Sequence, residues 1–145
     1  MNNRMVLVVG LVALAGCGTT GLGGTSTGVA STGQDVNGAR VGTTVISAMG
    51  GGLVSGSIGS GLTERERRSG LEAEYKALEY TASGQPVAWK GEQSNHYGQV
   101  VAAQPYRVGS QDCRQYTHTV TAGGAAMTAR GTACRNTDGS WTPLT

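Results

Sequence analysis

The distribution of hydrophobic and polar residues divides this chain into successive parts with different patterns. An apolar run near the N-terminus is followed by small polar residues, then by small and apolar residues, and then by a charged segment that leads into alternating positions. A period near 3.6 predicts a helix and a period of 2 predicts strands. We therefore expect an α+β protein with one amphipathic helix and a small antiparallel sheet or meander. Its four parts are 1–16, 17–37, 38–62 and 63–145.

The first part, residues 1–16, has the pattern of a secretory signal peptide. Arg4 supplies a positive charge, the ten residues 5–14 are apolar, and two small residues follow. Ten apolar residues rise about 15 Å as a helix, half of a hydrocarbon core of about 30 Å, which disfavours a membrane span. The junction Leu14-Ala15-Gly16-Cys17 resembles the lipobox of bacterial lipoproteins. It predicts lipid on Cys17; the alternative is a buried cysteine in a helix.

Residues 17–37 are expected to form a flexible tether. After Cys17 they consist mainly of glycine, serine and threonine, with one charge at Asp35, a composition typical of linkers. About 20 such residues span about 25 Å as a random coil. The tether would connect a lipid-anchored cysteine to the rest of the chain.

Residues 38–62 favour a helical segment that packs through small residues. They carry one charge, Arg40, and small residues recur four positions apart, the spacing that lets helix backbones approach closely in lipid. This spacing predicts a membrane-associated or self-associating glycine zipper, broken at residues 50–52 into two short helices or continuous as one tilted span; a glycine-rich linker is the alternative. The helix-packing glycines would be Gly38, Gly42, Gly52 and Gly56.

A soluble amphipathic helix is predicted to begin after Thr63. Thr63 and Glu66 have the spacing of a capping box, which satisfies free N–H groups at a helix start. Nine of the eighteen residues 63–80 are charged, so we interpret this run as a solvated helix face; a docking surface is the alternative. Residues 83–86, Ser-Gly-Gln-Pro, end the helix. The apolar positions of one face are Leu71, Tyr75 and Leu78.

From Pro86 onward the pattern has the period of strands. Turn residues at 136–139, Asn-Thr-Asp-Gly, precede the last of them. All aromatic residues lie from Tyr75 onward, which favours a domain boundary near residue 63. The predicted strands are 87–90, 98–104, 106–108, 112–121, 125–135 and 140–144.

The sequence also determines the register of one hairpin. Gly123 and Gly124 are typical of a two-residue turn, since a type I′ turn needs positive φ at both central positions. Paired residues across this turn sum to 247, so Cys113 lies opposite Cys134 and a disulfide is predicted. Lipid on Cys17 leaves these two cysteines as a pair, and export favours their oxidation.

The same register sorts the hairpin into two faces. Tyr116, His118 and Val120 fall on a face with apolar neighbours, while the other face is rich in threonine and is expected to see water. The threonines of that face are Thr117, Thr119, Thr121, Thr128 and Thr132.

Composition and charge exclude several classes of function. The chain has 25 glycines, no phenylalanine and a formal net charge of +2. Its lysines and arginines form no block and no basic stripe, which argues against nucleic acid as a partner. The sequence contains no nucleophile elbow and no recognisable catalytic constellation, so we expect no enzymatic activity and no cofactor.

A zinc site is the one metal alternative. It would use Cys113, Cys134, His96 and His118, but the chain has no Cys-x-x-Cys spacing, so we expect no metal. For His118 itself, a packed strand residue is favoured over a general base.

Four stretches carry a resemblance to a known family: 62–68 (LTERERR), 71–79 (LEAEYKALE), 108–119 (VGSQDCRQYTHT) and 131–141 (GTACRNTDGSW). They resemble the rickettsial-type 17 kDa surface antigen family of alphaproteobacterial outer-membrane lipoproteins. The resemblance implies an outer-membrane lipoprotein with a glycine-zipper segment and a C-terminal β domain, often surface-exposed, and no enzymatic activity. Gly18 after the cysteine favours the outer membrane by resemblance to lipoprotein sorting.

Two functions follow as hypotheses. The first is a structural or surface-antigen lipoprotein of the cell outer membrane, held to membrane lipid by acylated Cys17 and self-associating through residues 38–62. The second is a periplasmic adaptor whose sheet binds another envelope protein or a cell-wall polymer. The aromatic residues discriminate between them, because an exposed cluster would be a binding patch and a buried one would be core. These residues are Trp89, Tyr97, Tyr106 and Trp141.

Overall fold

One long helix lies against one face of an antiparallel sheet. The computed structural model describes residues 42–144; the predicted signal peptide, the tether, Cys17 and Gly38 lie outside the described residues. A short helix α1 (Thr43–Ala48), two 3₁₀ turns (Leu53–Ser55 and Ser57–Gly59) and helix α2 (Glu64–Glu79) precede the sheet. The strands are β1 (Pro86–Lys90), β2 (His96–Ala102), β3 (Tyr106–Val108), β4 (Gln111–Ala122), β5 (Ala126–Arg135) and β6 (Trp141–Leu144). The predicted α+β fold is confirmed.

The strands form a meander in which neighbours in sequence are mostly neighbours in space. Their order is β1-β2-β4-β5-β6, every pairing is antiparallel, and β3 pairs with β4 beyond the end of β2. All six predicted strands are present, with boundaries shifted by two residues or fewer. The largest shift is in β2, which begins earlier, at His96, and ends before Pro105, a residue that cannot donate to a ladder.

Helix α2 begins at the predicted capping box. The Thr63 hydroxyl accepts a hydrogen bond from the Glu66 N–H at 3.2 Å, and the Glu66 carboxylate accepts one from the Thr63 N–H at 2.9 Å. The helix ends at Glu79, earlier than the glycine and proline that follow, with Tyr80 as its C-cap. A lysine, Lys76, lies in the last turn, where a positive charge complements the helix dipole.

The register of the β4–β5 hairpin is the predicted one. Cys113 pairs with Cys134, and every pair of this ladder sums to 247. Gly123 and Gly124 both have positive φ, 77° and 128°, as the two-residue turn requires. Because the two turn glycines fix which residues lie opposite each other, the register of the whole β4–β5 ladder follows from this local signal.

The core lies between the inner face of the sheet and α2. Tyr116, Val120 and Val100 from the sheet pack against Leu71 and Leu78 of the helix, and all five are buried. Both tryptophans, Trp89 and Trp141, belong to this core. The remaining buried apolar residues of the core include Leu62, Ala73, Tyr75, Ala77, Ala102 and Ala133.

The structure corrects the predicted glycine zipper over its described residues, 42–62. This segment is one six-residue helix and two 3₁₀ turns, and it packs against α2 and strands β4, β5 and β6. Its large apolar side chains lie in the same core as α2, so the domain boundary predicted near residue 63 lies earlier. These side chains are Ile46, Met49, Val54, Ile58 and Leu62.

The glycines of this segment explain why it is not a continuous helix. Gly50, Gly51 and Gly52 have φ of 57°, 91° and 60°, and this backbone conformation interrupts the helix where the sequence predicts an interruption. A Cβ added at Gly42 would have no neighbour within 4 Å, and Gly56 lies beside the Leu53 carbonyl. These glycines serve the turns of the segment, and self-association through residues 38–62 stays a prediction. Within residues 42–144, no helix has the length and apolar character needed to cross a membrane.

Gly52 offers a direct test of this packing. A Cβ there would overlap the Glu74 carboxylate and come 2.7 Å from Leu71 Cδ1, at a φ that side chains rarely adopt. We expect Gly52→Ala to lower the free energy of unfolding by about 2 kcal/mol or more. Urea unfolding followed by circular dichroism measures this change.

The matched control for that variant is Gly42→Ala, which meets open space and should change stability by less than about 0.5 kcal/mol. Equal stability of Gly52→Ala and Gly42→Ala would contradict the observed packing of this segment.

Candidate functional site

Two glutamates of α2 reach two histidines of the sheet. Glu66 and Glu74 are eight residues apart, so they lie on the same helix face two turns from each other. Glu66 contacts His96 of β2, and Glu74 contacts His118 of β4. Gly70 lies between them, and a Cβ there would be 3.2 Å from the His118 ring. The small residue lets the helix come close enough for both contacts.

The Glu74 pair is the more deeply buried of the two. His118 Nδ1 lies 2.7 Å from Glu74 Oε1, and both side chains have no solvent exposure. The Trp89 Nε1–H donates to His118 Nε2 at 2.8 Å. Since the indole N–H can only donate, Nε2 is the accepting nitrogen and Nδ1 carries the proton that faces the carboxylate.

The Glu74 carboxylate also holds the segment that precedes α2. The backbone N–H groups of Leu53 and Val54, at the start of a 3₁₀ turn, donate to Oε2 and Oε1, both at 3.0 Å. Backbone N–H groups at a helical start carry partial positive charge and stabilise a carboxylate. One side chain therefore joins the helix, the sheet and the segment 43–62.

Glu66 is satisfied in a similar way near the start of α2. Its carboxylate accepts from the N–H groups of Thr63 and Glu92, each at 2.9 Å, and lies 3.0 Å from His96 Nδ1. Burial alone would raise the pKa of Glu66, but these hydrogen bonds outweigh it and lower the pKa to about 2. The carboxylate is ionised at neutral pH and ties the β1–β2 connection to the helix start.

Arg114 of β4 donates hydrogen bonds to backbone carbonyl groups at the C-terminal end of α2. Its guanidinium Nη1 donates to the carbonyl oxygens of Ala77, Leu78 and Thr81 at 3.0, 2.7 and 3.1 Å, and its Nε donates to Ala103 at 2.8 Å. The last carbonyls of a helix lack partners within the helix and carry partial negative charge. A buried cation from the sheet thus satisfies them.

A third glutamate of α2 is tied to the far edge of the sheet. Glu79 receives two hydrogen bonds from Arg135, at 2.8 and 2.7 Å, and one from the Trp141 Nε1–H at 2.8 Å. The Arg135 hydrogen bonds, with the Trp141 bond, lower the pKa of Glu79 despite its partial burial. The paired carboxylate in turn raises the pKa of Arg135.

The interpretation of the charged run as a solvated face holds for most of its charged residues, but not for Glu66 and Glu74. Glu66 and Glu74 are buried, and Glu79 is half-buried against the sheet. The signal that could have found them was the eight-residue spacing of two glutamates on the face that includes Gly70, together with a histidine on the apolar face of β4. The favoured interpretation of His118 as a packed strand residue is confirmed.

The histidine and glutamate of the deeper pair are groups that can act as acid and base, and both are buried. His118 and Glu74 are sealed from solvent, and the His118 ring nitrogens are both engaged, with Trp89 and Glu74. The neighbouring Tyr116 hydroxyl is buried and, among the described residues, is the side-chain polar atom without a hydrogen-bond partner. Burial and the nearby Glu74 raise the pKa of Tyr116, so the phenol stays protonated. The hydrogen bonds of Glu74 and His118 connect helix α2, strands β1 and β4 and the 3₁₀ turn at Leu53–Ser55.

The two cysteines of the hairpin form the predicted disulfide. Cys113 and Cys134 are joined, with their Cα atoms 4.0 Å apart, and both are buried. Closing a loop of this length stabilises the fold by about 3 kcal/mol on the chain-entropy model. Because Cys113 and His118 differ by an odd number of positions on β4, their side chains lie on opposite faces and the zinc ligands of the alternative hypothesis do not converge. Within residues 42–144, no group of three or more potential metal ligands is gathered.

The opposite face of the sheet is open to solvent, as predicted for the threonine-rich face. Its threonines are exposed or half-buried, and Thr119 and Thr128 are joined by a 3.0 Å hydrogen bond between hydroxyls. An open groove of about 560 Å³ lies on this side, at the end of β2 nearest Ala103. Its lining includes Val101, Gln115, Thr117, Arg130 and Thr132.

The aromatic residues separate between the two faces. Trp89 and Trp141 are buried, whereas Tyr97 and Tyr106 are 49% and 42% exposed. Tyr97 pairs with Thr121, and Tyr106 pairs with Cys113, so both tyrosines lie on the open face. The inner face of the sheet therefore packs against α2, and the outer face is exposed to solvent.

Comparisons with known proteins agree with the resemblance seen in the sequence. Residues 76–142 match the model of a family described as 17 kDa outer membrane surface antigen. The chain is 40% identical over 85 residues to the 17 kDa surface antigen of Rickettsia bellii, a match that covers 58% of this chain and 54% of the relative. It is also 40% identical to the 17 kDa surface antigens of Rickettsia japonica (57% of this chain, 52% of the relative) and Rickettsia rickettsii (56% and 52%). The chain thus spans about half the length of the curated relatives it matches. No solved structure matches.

The Glu66 carboxylate gives the domain a defined response to acid. Its pKa is lowered from 4.5 to about 2 in the folded protein, so its stabilising contribution is complete above the unfolded value and is lost as pH falls through that window. We expect Glu66→Gln to lower stability at pH 7 and to make the decline between pH 5 and pH 2 shallower. Urea unfolding at several pH values measures both effects.

Glu64→Gln is the matched control, since the Glu64 side chain is 89% exposed, and it should keep the wild-type decline. An unchanged acid profile in Glu66→Gln would show that the buried carboxylate is not the group responsible.

Proposed function

We propose that this chain, whose residues 76–142 match the 17 kDa outer membrane surface antigen family, is a non-catalytic, lipid-anchored protein of the outer membrane with a structural, surface-antigen role. The family description indicates a cell-surface location. Lipid on Cys17 would hold the chain to the membrane, and the tether at 17–37 would separate the lipid from the folded residues.

The observation that carries the non-catalytic part of this proposal is the use of the titratable groups. Histidine and glutamate, the groups that could act as acid and base, are paired under α2: His96 with Glu66, and His118 with Glu74. The deeper pair has no exposure, while the open groove lies on the opposite face and is lined by Gln115, Thr117 and other uncharged residues around Arg130. The groups that could act as acid and base thus lie on one face of the sheet, and the groove that is open to solvent lies on the other.

The anchoring part of the proposal is supported by the sequence before the described residues. Residues 5–14 are apolar and lead to Leu14-Ala15-Gly16-Cys17, and acyl chains stabilise membrane attachment by about 0.8 kcal/mol for each buried methylene. The disulfide between the other two cysteines leaves Cys17 as the cysteine that lipid would modify.

A second candidate function, an adaptor that binds another envelope component, is favoured by the open face of the sheet. Tyr97 and Tyr106 are exposed there, and no described element covers the threonines between them. Both functions are compatible, because an anchored domain can present this face to a partner.

The anchor is tested at Cys17. We expect Cys17→Ser to abolish metabolic labelling by an alkyne fatty acid and to move the protein from the membrane fraction to the soluble one, because the thiol that would carry lipid is gone. Fractionation and in-gel fluorescence measure the two effects.

The double variant Cys113→Ser/Cys134→Ser is the control, since it removes the remaining cysteines and should keep the label. Labelling that persists in Cys17→Ser would overturn the proposed anchor.

A further inference from the structure

The open face of the sheet has a composition that differs from the rest of the described surface. Threonine occupies five of the ten outward positions in the ladder between the central strands β4 and β5, and the polar residues beside them are Gln115 on β4 and Arg130 on β5. Hydroxyl and amide groups each supply donors and acceptors of hydrogen bonds. This outer face is therefore a broad polar surface that can bond to another polar molecule at many points.

The charge on this outer face has one sign. Arg130 and Lys90 lie at outward positions, on β5 and β1, whereas no outward position of the six described strands carries an aspartate or a glutamate. The carboxylates of the described residues lie on α2 and at Glu92, Asp112 and Asp138. The outer face thus complements a negative charge.

Arg130 is a cation of this surface that is available to bind. It lies opposite Thr117 in the ladder, is exposed, and lines the open groove. Within residues 42–144 its side chain makes no ion pair and no hydrogen bond, unlike that of Arg107, which pairs with Asp112 at 3.0 Å, or that of Arg135, which pairs with Glu79. A guanidinium group binds a carboxylate through two parallel hydrogen bonds.

The exposed tyrosines lie near opposite ends of the outer face. Tyr97 pairs with Thr121 and Tyr106 with Cys113, eight positions apart on β4, which is about 27 Å at the rise of an antiparallel strand. Tyrosine presents an apolar ring with a polar end, suited to the mixed apolar and hydroxylated faces of sugar rings. A ligand that reaches both rings must be extended.

This arrangement favours a glycan over a protein or a membrane. The centre of a protein interface is apolar and aromatic with a polar rim, but here the centre is threonine, glutamine and Arg130 and the aromatic rings are peripheral. A helix or face that inserts in a membrane needs a large apolar area, and nucleic acid needs more cations than Lys90 and Arg130 supply.

We propose that the outer face binds an extended polysaccharide that carries carboxylates, with Arg130 pairing with a sugar carboxylate in the groove, Gln115 and Thr117 bonding to hydroxyls, and Tyr97 and Tyr106 packing on sugar rings. This deepens the adaptor function proposed above by naming the class of its partner, and it does not depend on lipid at Cys17.

Polygalacturonate is the probe for this proposal, measured by isothermal titration calorimetry against the full chain in detergent. We expect binding that Arg130→Gln weakens at least tenfold, because the guanidinium pair is lost. Arg65→Gln is the matched control: Arg65 is also exposed, with a side chain 78% accessible, but lies on α2, and its replacement should change affinity less than twofold. Tyr97→Ala should also weaken binding without changing the circular dichroism spectrum.

Two further polymers distinguish the contribution of the sugar rings to the affinity from that of the carboxylates. Dextran, an uncharged glycan, should bind at least tenfold more weakly than polygalacturonate, and polyglutamate, a carboxylate polymer without sugars, should also bind more weakly. No binding of polygalacturonate, equal binding of polyglutamate, or equal losses in Arg130→Gln and Arg65→Gln would overturn the proposal. Fatty-acid labelling at Cys17 would be unaffected by such a result, so failure here is distinct from failure of the anchor.

Discussion

The fold depends on one buried carboxylate, that of Glu74 in the middle of helix α2. A carboxylate removed from water is costly unless it is fully hydrogen-bonded, and here His118 and the backbone N–H groups of Leu53 and Val54 satisfy it. These donors belong to the sheet and to the segment before the helix. Separating any of the three parts would leave a buried charge without its partners, so the carboxylate joins them into one unit.

The two faces of the sheet have different tasks as a consequence. The inner face holds the buried ionisable groups: Glu66 and Glu74 with their histidines, and Arg114 at the end of α2. The outer face has threonine hydroxyls and the Arg130 guanidinium, which has no partner among the described residues. The interactions that stabilise the fold therefore lie on one side of the sheet, and the proposed recognition surface lies on the other.

Local signals in the sequence predict much of this fold. Contacts between residues far apart in the sequence cannot be predicted from such signals. The turn at Gly123-Gly124 sets the hairpin register, and with it the disulfide, because every pair follows by counting from the turn. Glu74 was missed because a carboxylate in a charged helix looks solvated until its partner, 44 positions away, is known. The pattern of residues 38–62 predicts a zipper because small and apolar residues suit a membrane and a protein core equally well. The packing of Val54 beside Glu74 decides between the two environments for the described residues 42–62.

The most direct test of this account is hydrogen exchange on Glu74→Gln, compared with Glu64→Gln, whose carboxylate is 89% exposed. If Glu74 joins helix, sheet and preceding segment, Glu74→Gln should lose about 3 kcal/mol of stability, and amides of residues 53–59 should lose protection to a greater extent than those of β4. Glu64→Gln should retain both. Equal stability and equal protection of residues 53–59 in the two variants would contradict the account.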